Sequence, residues 1–478
     1  MQDIPIAHEN IVSKTNEDKR SEARLNEPKE YTAPVTGVES DTFIRERDIS
    51  TRPWKEAMLS ILFLGPFFFI SYGIANWIST LRNVSESFYF DWEKNIPVIP
   101  AMIVPYMSID LFFAASVFLC STQQELRNHV KRLVFAITIS VVCFLIFPLK
   151  FGFPRPHVTG VEGYLFSALY GFDAPYNQAP SLHISLLMLL WVIYARHMKG
   201  ILALVLHSWF ALIAVSVLLT YQHHFIDIPT AILVGISAFY LFPDHLDRGR
   251  FLPARSYKIA MIYLIIASFF FLGALLHVPE SLLLLWPAIS ALIVALAYSG
   301  IGSIIFRKIN GLHSLSTRIM LAPYIAASHL SFRIYTRNDI PFQEILPGIL
   351  LGRKINEKEA KDLISAGVTA VIDLTAEFSE VKSLLKLPYL NLPVLDLTTP
   401  TKMQLEEAII FINEQKSYGK IYVHCALGYA RSACIVAAYM LHSGLVENGD
   451  EAVKILQQAK PKIVLDPRWL SSLPKVTR

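Results

Sequence analysis

The chain has 478 residues, of which 53% are hydrophobic and only 17% charged, and its formal net charge is +4. That balance is too apolar for an ordinary soluble protein, and the length allows two to four domains. No basic stripe with interleaved aromatic residues occurs, so nucleic acid is not an expected partner.

Met1 to about Arg52 is polar and mixed in charge, with few apolar residues to bury. It reads as a disordered cytoplasmic tail without a secretory signal. Apolar runs near the ~20 residues of a membrane span follow. They lie at about Met58–Ile78, Ile99–Leu119, Leu133–Leu149, Leu182–Met198, Ile201–Leu219, Pro229–Phe242, Ile259–Leu276 and Leu282–Ile301.

The short loops set the direction. One side collects Arg45, Arg47, Arg52 and Lys55, then Arg127, Lys131 and Arg132, then Arg196 and Lys199, then Arg248, Arg250, Arg255 and Lys258, and finally Arg307, Lys308 and Arg318. The other side receives only Arg82, Lys94, Lys150 and Arg155. Both termini are therefore expected in the cytoplasm, of a bacterium with the spans in its inner membrane. Spans seven and eight are assigned only the return of the chain to that side. After a linker over 307–342, short apolar strands alternate with helical patterns. "GVTAVIDLT", "YLNLPVLDL" and "KIYVHCALG" read as strands of a small α/β domain over 343–478.

Three segments at the outer face carry polar residues that a bare anchor does not need. They are "KFGFPRP" (Lys150–Pro156), "PSLH" (Pro180–His183) and "HHFID" (His223–Asp227). The residue types suit phosphoryl transfer. Lys150 and Arg155 can hold phosphate oxygens, and Ser181 with nearby N–H groups at a helix start can complete the cradle. His223 can attack phosphorus as a neutral imidazole, Asp227 can orient the ring, and His183 can protonate the leaving oxygen. His224 is the rival nucleophile, with the worse spacing to Asp227. His207 and His245 read as interfacial side chains.

These segments resemble the three motifs of the type 2 phosphatidic acid phosphatase superfamily, Lys…Arg-Pro, Pro-Ser-x-His and His-x-x-x-Asp, over roughly residues 55–245. The resemblance implies a six-helix core over 53–245, with 246–306 as two added spans, and a phosphohistidine on His223. Three positions depart from the pattern. The lysine stands only five residues before Arg155, Leu182 replaces a glycine, and Val217 occupies the place of an upstream arginine. "PSLH" and the missing arginine are similar to the branch of inositol phosphorylceramide and sphingomyelin synthases, which pass a phospho-headgroup to a lipid alcohol. Hydrolysis of lipid phosphomonoesters and headgroup transfer both stay open.

Of four cysteines, Cys120, Cys143 and Cys434 read as small buried apolar residues, with no metal-ligand spacing and no disulfide framework. Cys425 differs. In "HCALGYARS" (His424–Ser432) a strand runs into a loop and then a helix, which makes an anion nest that depresses a thiol pKa. Cys425 is the expected nucleophile and Arg431 the grip on phosphate. Gly428 lets the loop bend, and Ser432 can hydrogen-bond the departing thiolate. Asp396 is the expected general acid, while Asp373 reads as a cap or turn. This stretch resembles the dual-specificity branch of protein tyrosine phosphatases over about residues 343–475. Ala426, Leu427, Tyr429 and Ala430 are uncharged, which argues against polyphosphoinositides.

The fold expected is thus a polytopic α-helical membrane domain of about eight spans, followed by a small cytoplasmic α/β dual-specificity phosphatase domain. Neither chemistry requires a metal or another cofactor. The expected partners are a lipid phosphate, the membrane and a cytoplasmic phosphoprotein or phosphoester. A C-terminal domain that only binds phosphoproteins or regulates the membrane half is the remaining alternative.

Overall fold

A computed structural model describes residues 52–244, 255–276 and 280–465. The N-terminal tail with Arg45 and Arg47, and His245, Arg248 and Arg250, lie outside the described residues. Eight apolar helices fall at the eight expected segments. Five are long and apolar enough to cross a membrane, and three are shorter.

The first seven helices are α1 (Trp54–Leu81), α2 (Ile103–Leu119), α3 (Gln123–Ile146), α4 (Gly160–Phe172), α5 (Leu182–His197), α6 (Gly200–Leu219) and α7 (Asp227–Leu241). α5 lies inside, packed on α2, α3, α6 and α7. Leu64, Ile103, Leu133, Leu189, Leu190, Phe210 and Ile213 form the interior. The outer faces are apolar too: α6 exposes Ile201, Leu204 and Val205 while burying Phe210 and Ile213. A helix apolar all round belongs in a membrane or a large core.

α3 starts ten residues before the apolar run, because Thr122 caps it by accepting the Glu125 N–H and the polar turns continue the helix. Arg132, counted above as a loop charge, is instead buried within α3. Its Nε donates to the carbonyl of Phe242 at the end of α7 (2.9 Å), and its Nη2 to Asp244 (2.8 Å). α4 was not anticipated, being too short for a span; its end carries Phe172 and Asp173 to His183 and His223.

α8 (Tyr257–Ala274) and α9 (Leu285–Leu296) pack against each other, and α9 runs into a one-turn π-segment, Ala297–Ile301. The stretch read as a linker is structured. It holds the hairpin β1 (Lys308–Ile309) and β2 (Leu312–His313), then α10 (Leu315–Met320) and α11 (Ala322–Thr336).

The C-terminal sheet contains β3 (Phe342–Leu346), β4 (Ile349–Arg353), β5 (Val368–Thr375), β6 (Tyr389–Val394) and β7 (Lys420–Cys425), in the order β3-β4-β7-β5-β6. Only β3 is antiparallel. Leu351, Ile372, Val423 and Ile435 fill one face; Leu350, Val371, Tyr422 and Leu363 fill the other. Burial on both faces explains why these strands read as continuous apolar runs. α12 (Glu357–Ser365), α13 (Lys402–Gln415), α14 (Arg431–His442) and α15 (Gly449–Ala459) supply the helices.

The α/β domain meets the helices at the end away from His183 and His223. Tyr240, at the far end of the helix that starts at Asp227, donates to the Ile305 carbonyl (2.8 Å). Val294, Ala297, Tyr298, Ile305, Phe306 and Leu321 pack with Ala376 and Leu395 of the loops that follow β5 and β6. The helices at the expected seventh and eighth spans therefore seat this domain, a role not anticipated for them.

Asp373 makes a local turn-type bond, its Oδ1 accepting the Thr375 N–H two residues on (2.7 Å), and carries a larger role besides. It is a fully buried strand residue paired with Lys308 Nζ at 2.5 Å and bonded by Tyr389 and Thr375. Burial alone would raise its pKa, but Lys308 and then His424 hold it well below the usual carboxylate range. Removing one partner of a buried pair strands the other charge. Lys308→Met is expected to cost about 3–5 kcal/mol of domain stability, read as a lower denaturant midpoint in detergent; an unchanged midpoint would show that the pair holds nothing.

Candidate functional site

β7 lies at the centre of the sheet and ends at Cys425. In parallel sheets, sites form beyond the carboxyl ends of the strands. The chain turns there and enters α14 at Arg431. Gly428 has φ +72°, and a Cβ on it would stand 2.5 Å from the Gly352 carbonyl oxygen, so no other residue fits without displacing β4. The turn aims the Gly428 N–H at Cys425 Sγ (3.2 Å), and Ser432 Oγ donates to the same sulfur (3.3 Å).

Burial alone would push the Cys425 thiol up. The Arg431 charge, then hydrogen bonds from Ser432 and Gly428, outweigh burial and bring it below the ordinary thiol value. Cys434, nine residues on, lacks that setting, and burial pushes it up to about 12. Of the two cysteines in this domain, Cys425 alone has the setting that favours a thiolate.

Arg431 is only 2% exposed. Its two Nη atoms donate to the two carboxylate oxygens of Glu377 at 3.0 and 2.7 Å, and Nη1 donates also to the Val394 carbonyl (2.9 Å). Nη2 lies 3.0 Å from Asp396, whose side chain is half exposed. The structure thus brings Cys425, Gly428, Arg431, Ser432 and Asp396 to one place. The sequence reading missed Glu377, although an acid directly beyond the β5 strand end was the available signal. Burial would raise the Glu377 pKa, but Arg431 overcomes it and keeps the carboxylate charged.

His424, next to the nucleophile, packs behind the loop with Nε2 2.8 Å from Glu380. Asp373, Glu380 and His424 offer ligand atoms within 4.8 Å of one another. Lys308 provides the positive charge against Asp373. Burial would lower the His424 pKa, but Glu380 and then Asp373 outweigh it and raise it, so a cationic group stands against each carboxylate.

In the helical half, α5 and α7 start side by side, tied by the Ser181 N–H to the Asp227 carbonyl (3.1 Å). His223 Nδ1 is 3.2 Å from Asp227 Oδ2, which also accepts the His224 N–H (2.9 Å). His224 has both ring nitrogens engaged: Nδ1 with the buried Glu93 (3.0 Å), and Nε2 as acceptor of the Gly152 N–H (2.9 Å). It is structural, which leaves His223 as the nucleophile candidate. Glu93 was not anticipated.

His183 stacks on Tyr106 and shares with His223 a cavity of about 110 Å³ lined by Phe68, Tyr72 and Asp173. Its Nε2 is buried without a hydrogen-bond partner. Arg155 borders a small polar recess with His223, and its Nη2 donates to the Asp173 carbonyl (2.6 Å). Two expected phosphate ligands fall elsewhere. Ser181 Oγ caps α5 by accepting the Ile184 N–H, and exposed Lys150 lines neither recess.

Residues 349–478 match the family model described as dual specificity phosphatase, catalytic domain. Dual specificity protein phosphatase 12 of Mus musculus is 30% identical over 128 residues, 25% of this chain and 36% of that protein. Dual specificity protein phosphatase 2 of Homo sapiens is 34% identical over 120 residues, 24% of this chain and 37% of that protein. The chain therefore spans little more than a third of the length of these curated relatives. A crystal structure of PTPMT1 in complex with PI(5)P is 25% identical and covers 28% of this chain and 91% of that chain, with a TM-score of 0.26. The C-terminal part is a dual-specificity phosphatase catalytic domain. The likeness of residues 55–245 rests on their motifs.

The thiol environment has a direct readout. Alkylation of Cys425 by iodoacetamide, followed on its peptide by mass spectrometry, should be half-maximal at a lower pH than for a free thiol. Ser432→Ala should move that midpoint up. A free-thiol midpoint in both proteins would contradict the arrangement.

Proposed function

We propose that the chain is a membrane phosphatase with two chemically distinct heads. The observation that carries the proposal is the Cys425 site: a depressed thiol, a buried guanidinium and a half-exposed acid in one loop cluster. At this head the Cys425 thiolate attacks the phosphorus of a phosphomonoester. A P–S bond forms, the P–O bond to the alcohol breaks, and Asp396 gives its proton to the leaving oxygen. Water, deprotonated by Asp396, then cleaves the thiophosphate. Arg431 stabilises the equatorial oxygens, held in place by Glu377. Arriving phosphate competes with Asp396 for Arg431 Nη2, which releases the acid for its task.

The second head is the His223 site, acting on lipid phosphomonoesters. His223 Nε2 attacks phosphorus, Asp227 stabilises the imidazolium from Nδ1, and His183 Nε2 protonates the leaving group. The separation of the heads at opposite ends of the helices, with the loop bias of Lys and Arg, supports a His223 site on the outer face and a cytoplasmic Cys425 site in a bacterial inner membrane. Headgroup transfer at His223 is the second reading. Buried Val217, standing where another phosphate-binding arginine is expected, favours it.

Phosphate release by purified protein separates these readings. Cys425→Ser should lose hydrolysis of p-nitrophenyl phosphate by about a thousandfold or more. It should keep release from a panel of lipid phosphomonoesters, and Cys425→Ser/His223→Ala should lose that too. Lipid release that vanishes already in Cys425→Ser would sink the histidine hydrolase and leave transfer to a lipid alcohol.

A further inference from the structure

Resting on the phosphatase reading of Cys425, we propose that this site takes an amphiphilic phosphomonoester, a lipid whose acyl chain lies along α8, α9 and α11 while its phosphate enters the Cys425 loop. A cleft of about 480 Å³ joins the two, within the ~300–1,000 Å³ range of ligand pockets. Its mouth lies at the rim of the Cys425 loop, lined by Glu377, Asp396, Ala426 and Leu427. Its walls are the helices.

On α8 the lining residues are Ile259, Tyr263, Ile266 and Phe270. That spacing of four, three and four is one helical stripe, and it carries the cleft about 16 Å from the phosphatase into the apolar bundle. Pro287 and Ala291 of α9 and Ala327 of α11 face the same space. The other side of α8 exposes Ile262, Ile265, Phe269 and Leu272. α8 is among the helices long and apolar enough to cross a membrane. The cleft therefore borders lipid on a helix that is apolar on both faces.

The chemistry of the walls selects the occupant. Apart from Glu377 and Asp396, which belong to the phosphatase loops, no lining residue carries a charge. A phosphopeptide would bring backbone N–H and C=O groups against Phe270, Pro287 and Ala291, where only scattered hydroxyls such as those of Ser290, Ser328 and Tyr324 could pair with them, at a cost an alkyl chain does not incur. Leu397 continues the apolar surface at the mouth, 79% exposed directly beside the acid. The same logic explains the uncharged loop: Ala426 and Leu427 face an acyl slot and not a polyphosphate.

The anchoring is specific to this site. Tyr298, at the end of the eighth apolar helix, donates to the Asp396 carbonyl (2.9 Å), and its ring stacks on Tyr263 in the cleft wall. The loop carrying the acid is thus fastened to the helix pair that forms the slot.

The test uses full-length His223→Ala protein in detergent micelles, so that only Cys425 turns over. The substrates are p-nitrophenyl phosphate, dihexanoyl and dipalmitoyl phosphatidic acid, and a phosphotyrosine peptide. The expected result is a kcat/KM at least about tenfold higher for dipalmitoyl than for dihexanoyl phosphatidic acid. Ala327→Trp, and separately Ser331→Trp, both exposed positions that block the slot, should lower the ratio of dipalmitoyl to p-nitrophenyl phosphate turnover by about tenfold. Turnover independent of chain length and of both tryptophans, or a preference for the phosphopeptide, would overturn the lipid inference while leaving the phosphatase intact. Failure to hydrolyse even p-nitrophenyl phosphate would overturn the phosphatase reading and this one with it.

Discussion

A guanidinium buried as deeply as that of Arg431 has to be neutralised, and the C-terminal site is organised around how this is done. Glu377 takes both Nη atoms and fixes the plane of the fork. With the charge fixed, Cys425 feels a permanent cation, and its thiol is lowered despite full burial. Asp396 shares Nη2 from the solvent side, so a half-exposed carboxylate stands beside the thiol loop. Glu377 and Asp396 stand beyond two neighbouring strands, β5 and β6. The sheet order therefore decides the chemistry: β7 must lie next to β5 for the thiolate, the arginine and the two carboxylates to meet.

Much of this was legible from local sequence. Strand, loop and helix around Cys425 announce themselves because apolar runs on both sides leave only "ALGYA" free to turn, and the placing of Cys425, Arg431 and Ser432 around that turn follows. The eight apolar segments were visible for an equally local reason, since the outward-facing and core-facing residues of these helices are both apolar. What stayed hidden is long-range. Glu377 acquires its role only when β5 pairs with β7, and Lys308 meets Asp373 across 65 residues. Glu93 reaches His224 across 131 residues. Arg132 carried the signature of a cytoplasmic loop charge, because charge counting cannot distinguish a loop from the capped first turns of a helix.

The membrane motifs were legible as types but not as positions. His183, His223 and Asp227 converge, because α5 and α7 begin at the same level and their starts are hydrogen-bonded together. Ser181 is diverted to capping and Lys150 to the surface. The pair of added helices had no motif at all. Their contribution is a surface, formed when Tyr298 fastens to the Asp396 loop and Ala297 packs beneath Ala376. Such a surface has no residue-type signature and needs the folded chain to be seen.

In the proposed two-headed mechanism, two different side chains of one chain become phosphorylated at opposite ends of a helical bundle. Rapid quenching during turnover of a lipid phosphomonoester, followed by peptide mass spectrometry, tests it directly. In the wild-type protein one phosphoryl group should be trapped on the peptide bearing Cys425 and a second on the peptide bearing His223, with Cys425→Ser losing only the first and His223→Ala only the second. Phosphate found on neither peptide, or on His224 in place of His223, would contradict the account.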